Sequence, residues 1–138
     1  MMAVNNQITF CSYNIKKYGS TKLDAIRDLF KKCSFMIFQE TWLTEIEFIR
    51  QFKNDFPQSE CISASKMDQG DIRAGRPYGG VGICYHSNLK CQVDNIPTKS
   101  KSICGLKIAI NNVHILLINV YMPSSNNVQS LNEYSAIL

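Results

Sequence analysis

Residues 35–43, FMIFQETWL, hold the stretch on which the fold turns. Phe35 to Phe38 are apolar without interruption, so neither face of a strand here is left for water, and Gln39 and Glu40 end the run abruptly. A strand covered on both faces needs a layer on each side. Just downstream, Thr44 and Glu47 form a T-x-x-E capping box, and Phe48, Ile49 and Phe52 supply the apolar stripe of a helix that DFPQS terminates. Just upstream, STKLDAIRDLFKKC predicts an amphipathic helix. Thr21 and Asp24 serve as its capping pair, Leu23, Ile26, Leu29 and Phe30 lie on one face, and basic residues close its C-terminus. Before that, QITFCSY from Gln7 reads as a strand ending at about Asn14. Strand, helix, strand, helix at this spacing predicts an α/β layered domain.

Beyond Pro57 the pattern changes to sheet. ECISAS, GGVGICYH, KCQVDNI, ICGLKIAI and VHILLINVYM read as strands separated by short polar turns. Asn111-Asn112 between the last two is a dipeptide that tolerates the positive φ of a tight hairpin, so those strands are expected to be antiparallel neighbours. KMDQGDIRAGRPYGG is a long polar loop and a candidate binding element. NVQSLNEYSAIL places Leu131, Tyr134 and Leu138 on one helical face with no terminator after them, as if the sequence stopped within a domain.

A chain of 138 residues with 45% hydrophobic content suits one globular domain or part of one, and a formal charge of +4 suits a polyanionic partner without demanding it. Cys11, Cys33, Cys61, Cys84, Cys91 and Cys104 never reach the C-x-x-C spacing of a zinc site, and are read as free, reduced, structural thiols. No run approaches the ~20 apolar residues of a membrane span, and the N-terminus lacks the pattern of a secretion signal. An intracellular location, cytoplasmic or nuclear, with no membrane partner is the expectation.

Polar residues recur at strand ends: Asn14 after ITFCSY, Glu40 after FMIF, Asn119 and Tyr121 at the close of HILLINVYMP. Gathered at one edge of a sheet they would offer an acid, two amides and a phenol to a crevice. That set suits a hard divalent ion, which needs only one or two protein carboxylates and completes its shell with water and phosphate. Taken singly, each has a plainer reading: Glu40 as a capping or solvated residue, Asn14 as a turn former, Tyr121 as a core aromatic.

Together, ITFCSYNIKKYG (8–19), FMIFQETWL (35–43), GRPYGGVGICY (75–85) and LLINVYMP (116–123) resemble the endonuclease/exonuclease/phosphatase superfamily. The resemblance is strongest to the endonuclease domains of non-LTR (LINE-type) retrotransposons, through Q-E-T-W-L, G-R-P-Y-G-G-V and N-V-Y-x-P. It implies a DNase I-like four-layer α/β/β/α sandwich, of which residues 1–138 would be the amino-terminal portion. It implies Glu40 as a ligand of Mg2+ or Mn2+, Asn14, Asn119 and Tyr121 as catalytic residues, Arg76 and Tyr78 as possible nucleic-acid contacts, and DNA as the partner. The G-D-x-N and S-D-H-type segments that supply the rest of such a site are absent from this sequence, and His86 and His114 do not match the second. The expectation is therefore a partial metal-dependent phosphodiesterase, inactive by itself. The alternatives are a non-enzymatic transposon-derived remnant that binds nucleic acid or protein, and a phosphatase or phospholipid phosphodiesterase of the same superfamily.

Overall fold

The computed structural model describes residues 7–67 and 78–122. In chain order these form β1 (Phe10–Asn14), a 3-10 turn (Ser20–Lys22), α1 (Leu23–Lys32), β2 (Phe35–Gln39), α2 (Glu45–Asp55), β3 (Ser59–Ala64), β4 (Val81–His86), β5 (Gln92–Ile96), β6 (Ile103–Ile110) and β7 (Val113–Val120). The helix expected around Leu131, Tyr134 and Leu138, and most of the loop before β4, lie outside the described residues.

The strands build two sheets, one of four strands in the order β1-β2-β4-β3 and one of three in the order β5-β6-β7. β1 and β2 run parallel, as the intervening helix requires, and the other pairs are antiparallel. Period-two alternation then sorts the side chains of β2. Met36 and Phe38 join Ile26, Phe30, Phe48 and Phe52 in a core between the first sheet and the helices. Phe35 points the other way, into a second core with Val81, Ile83, Cys104, Leu106 and Ile108 between the two sheets. The uninterrupted FMIF run is thus covered on both faces, and helices, sheet and sheet stack as successive layers.

Aromatic side chains fill the helix side. Tyr18 meets Phe38 and Phe48 edge-on, at ring-centroid distances of 6.1 and 5.5 Å, while Phe48 stacks on Phe52 at 5.9 Å. The Tyr18 hydroxyl donates to Asp55 Oδ2 at 2.8 Å, which ties the segment after β1 to the end of α2. Its phenol is held strongly in the protonated form, by burial first and by the Asp55 carboxylate second.

α2 starts as its sequence requires: Thr44 Oγ1 accepts from the Glu47 amide and Glu47 Oε2 from the Thr44 amide, both at 3.2 Å. The β6–β7 hairpin turns on Asn111 and Asn112 at φ 47° and 65°. α1 departs from expectation. Thr21 lies inside the 3-10 turn closed by the Lys22 amide on the Gly19 carbonyl, so it does not cap the helix, and Asp24 pairs with Arg27 at 3.2 Å instead. Lys22 donates its ammonium to the Ile15 and Lys16 carbonyls. β1 begins at Phe10 rather than Gln7, because Thr9 exchanges hydrogen bonds with Ser34 across the head of β2.

At Gly82 in β4 the helix layer lies directly against the sheet backbone. A Cβ there would lie 2.5 and 2.6 Å from Cε1 and Cζ of the fully buried Phe48. Gly82→Ala is therefore expected to lower unfolding stability by about 1–3 kcal/mol, the usual cost of overpacking a filled core, read as a shift in the urea midpoint.

Candidate active site

The register of both sheets brings one set of strand termini to the same end of the sandwich. In the first sheet Asn14 pairs with Gln39, Gln39 with Val81, and Val81 with Ala64. In the second, Val120 pairs with Ile103 and Gly105 with Ile96. Asn119 holds the two ends together. It is 2% exposed, its Nδ2 donates to the Phe38 carbonyl at 2.8 Å and the Gly82 carbonyl at 2.9 Å, and its Oδ1 accepts from Gln39 Nε2 at 3.0 Å. Gln39 Nε2 in turn donates to Ser12 Oγ at 3.2 Å. Beneath Asn119, burial pushes the Cys104 thiol up to about 12, opposed by its hydrogen bond to Asn119.

Glu40 leaves this network with φ 54°, in the left-handed region that a glutamate seldom occupies. Neighbouring segments hold it there. On one side the Ile15, Lys17 and Tyr18 amides donate to the carbonyls of Gln39, Glu40 and Thr41; on the other, Thr41 and Trp42 donate to Gly80 and Gly79. Gly80 has φ 89°, and a Cβ at that position would strike the buried Thr41 hydroxyl, so only glycine allows the two loops to close. Lys16, Lys17 and Trp42 also have positive φ. Outside the β6–β7 turn, every described residue with positive φ lies in these three loops, a concentration of strain typical of functional sites.

Among the sequence-derived candidates, the structure places Asn14, exposed at the end of β1, one register position from the chain segment of Glu40. Tyr121 follows β7, with its amide on the Ser102 carbonyl at 3.0 Å and its ring beside Gly79, where a Cβ would meet Cε1 at 3.6 Å. Asn119 is there too, but as a buried strut whose amide is committed to protein partners. Tyr78 is exposed at the rim of this end, and Arg76 lies outside the described residues. Both histidines are at the far end. His86 stacks on Phe30 at 3.8 Å with Nε2 2.7 Å from the Phe30 carbonyl, and His114 sits at the start of β7.

Three features escaped the sequence reading. Gln39 is the polar link between the sheets; its place two residues after Ile37 puts it on the inter-sheet face, a signal that alternation carries. The second is basic charge: exposed Lys16, Lys17, Lys66, Lys99 and Lys101 all follow or precede strand ends at this end of the molecule. They are dispersed in sequence and gather only in three dimensions. The third is a cavity of about 280 Å³ bordered by Lys66, Tyr78, Lys101, Ser102 and Tyr121, with Gly79 and Gly80 on its wall.

Among the described residues no three His, Cys, Asp or Glu side chains cluster as a ready-made metal cage. The donor chemistry nevertheless fits a magnesium-type ion. Glu40 is a half-exposed carboxylate without a side-chain partner among the described residues, on a backbone fixed from both sides, beside an exposed amide.

No family model matches the chain, and no curated protein does. Solved structures do match. The endonuclease domain of TRAS1, a telomere-specific non-LTR retrotransposon, superposes with a TM-score of 0.61 at 16% identity, covering 94% of this chain and 52% of that one. AP endonuclease LMAP from Leishmania major superposes with a TM-score of 0.62 at 14% identity, covering 92% of this chain and 44% of that one. The fold is DNase I-like. The chain spans about half the length of these two structures, and its layers correspond to a part of the α/β/β/α sandwich.

Replacing Asn119 by leucine would keep approximate volume but strip the Phe38 and Gly82 carbonyls of a buried donor and Gln39 of its acceptor. Each orphaned group costs about 1–3 kcal/mol, so Asn119→Leu is expected to lose at least about 2 kcal/mol in chemical denaturation. A loss under about 0.5 kcal/mol would mean that the strut does not hold the sheets together.

Proposed function

We propose that this chain forms the metal- and phosphate-positioning part of a divalent-metal-dependent phosphodiesterase that acts on DNA. The observation that carries the proposal is that Glu40, on a backbone held from both sides, lies at the same end of the sandwich as Asn14, Tyr121 and five exposed lysines. The DNase I-like fold and its occurrence in two endonucleases support the reading.

In this reading Glu40 holds the cation, Mg2+ or Mn2+, and Asn14 orients the shell around it. The bound ion supplies Lewis-acid stabilisation of charge on the phosphoryl oxygens. Tyr121 directs its hydroxyl toward the scissile phosphate from the wall of the lysine-lined cavity. Lys66 and Lys101 neutralise backbone phosphates, with Tyr78 and Arg76 as further contacts, and these contacts fix register rather than read sequence. Asn119 acts as a positioning residue: it touches neither ion nor substrate, and it keeps β2 and β7 in the relation that aims Glu40 and Tyr121 at one another's space.

Among the described residues neither histidine is placed to take the proton from water, since His86 and His114 are at the other end. Lacking a general base costs about a hundred- to ten-thousand-fold. That deficit favours, for the chain acting alone, a second reading as a DNA-binding module without turnover.

The metal assignment is tested by magnesium titration followed through amide NMR shifts. Shifts in residues 39–42 that saturate in the wild type and vanish in Glu40→Gln are expected; identical titrations would remove Glu40 from the site. With supercoiled plasmid and magnesium, the 138-residue chain is expected to leave the plasmid intact. Robust nicking that disappears in Glu40→Ala would show that a base is present after all.

The nucleic-acid assignment is tested by fluorescence anisotropy with a duplex oligonucleotide across a salt series. Lys66→Ala/Lys101→Ala is expected to weaken binding uniformly across sequences and to flatten the log–log salt slope by about 1–2, since each phosphate contact contributes about 0.9. An unchanged slope would place the DNA elsewhere.

A further inference from the structure

The proposed chemistry uses no thiol, yet the helix side of the first sheet contains two in contact. Cys61 in β3 and Cys84 in β4 are direct partners in the antiparallel register. Opposed residues in such a ladder have Cα atoms about 4.5 or 5.5 Å apart, depending on the pair type, and both values lie within the roughly 4.4–6.8 Å that a disulfide spans. Their side chains emerge on the same face, into the helix-side core. All six cysteines are free thiols in this structure.

The two thiols differ in access. Cys84 is fully buried beside Met36, while Cys61 is half-buried under α2, its Sγ 3.9 Å from the Ile49 carbonyl. Cys61 is also the more acidic, lowered first by the hydrogen bond from Cys84 and further by Lys53, against the opposing effects of burial and Glu60. Burial first, and then that same hydrogen bond, push Cys84 well up. A partly exposed cysteine thus lies opposite a fully buried one, the asymmetry of an attacking and a resolving thiol.

We propose that Cys61 and Cys84 form a redox modification site that closes to a cross-strand disulfide by exchange with a low-molecular-weight disulfide such as glutathione disulfide. The Cys61 thiolate attacks one sulfur of the small disulfide; a Cys61 mixed disulfide forms and one glutathione leaves as thiolate. Cys84 sulfur then attacks the Cys61 sulfur, the Cys61–Cys84 bond forms, and the second glutathione leaves. Two protein thiols are oxidised by two electrons, the small disulfide is reduced to two thiols, and the protons released by the cysteines end on the departing glutathione. The other cysteines lack this placement. Cys11 and Cys104 face Met36 and Asn119 in their ladders, Cys33 follows α1, and Cys91 precedes β5.

The consequence is a staple across β3 and β4, between residues already paired in the ladder. Oxidation therefore stabilises the fold rather than disrupting it, because the bond closes a loop in the unfolded chain while matching native geometry.

The test equilibrates the 138-residue chain in glutathione buffers of increasing oxidising poise, followed by thiol counting under denaturing, non-reducing conditions, peptide mapping and thermal melts. Expected is a fall from six thiols to four, a Cys61–Cys84 linked peptide, and a rise in Tm of several degrees that dithiothreitol reverses. Cys84→Ser should stop at the Cys61 glutathione adduct, and Cys61→Ser should keep five thiols with no Tm rise. The second variant alters a half-buried position and reports even if the first fails to fold. Six thiols at every poise, a different linked pair, or an unchanged Tm in the linked wild type would overturn the proposal.

Discussion

A single buried amide joins the two sheets at the end where the chemistry would take place. Asn119 has two N–H donors and one carbonyl acceptor, and all three have protein partners: the carbonyls of Phe38 and Gly82 and the side chain of Gln39. Apolar packing between the sheets fixes their separation but is non-directional, and would tolerate a slide along the strands. Directional bonds from a buried amide do not, because a shift breaks its bonds to the Phe38 and Gly82 carbonyls and to Gln39 at once. The placement of Glu40, which follows Gln39 directly, and of Tyr121, two residues beyond Asn119, is inherited from this one contact.

Local strain is held in place from the opposite side. The left-handed backbone at Glu40 and Trp42 costs free energy, and the surrounding main-chain hydrogen bonds to the 15–18 and 79–80 segments offset it. The 15–18 segment is itself anchored in the helix-side core, where Tyr18 is buried among Phe38, Phe48 and Phe52. The aromatic layer and the inter-sheet amide thus fix the same short loop from two directions. For the cation-binding role proposed for Glu40, a backbone fixed in this way removes main-chain freedom before any ion arrives.

Much of this was legible in the sequence where a local rule had no competitor. FMIF could be read as a doubly covered strand because four apolar residues in succession leave no polar face, and Thr44 with Glu47 could be read as a cap because both partners are local. The Asn-Asn turn was legible for the same reason. Thr21 misled because a 3-10 turn, closed within four residues and braced by the Lys22 ammonium, outcompeted an equally local cap. Asn14, Glu40 and Tyr121 could be read as strand-end residues, but their meeting at one end depended on how the sheets gather those ends. The structural commitment of Asn119 could not be read, since its partners lie 37 to 81 residues away in the chain, and neither could the gathering of the lysines, drawn from three separate loops.

β7 extends the argument to the outer surface. Its inward residues Ile115 and Leu117 pack in the inter-sheet core, and the alternate positions carry Leu116 and Ile118, which are 68% and 49% exposed. HILLIN is therefore apolar on both faces, the same signature that in FMIF marks a strand with a layer on each side. In β2 both layers are among the described residues; in β7 only the inner one is. Opposite Ile118, β6 has Gly105, where a Cβ would lie 3.0 Å from Ile118 Cδ1 and 3.4 Å from Ile96 Cδ1, so both side chains lean over the glycine. Water beside such a surface is unfavourable by about 25 cal/mol for each Å² of apolar area. The α/β/β/α sandwich has a layer on this side of its second sheet, and among the described residues β7 presents there the same kind of apolar face that β2 buries under its helices.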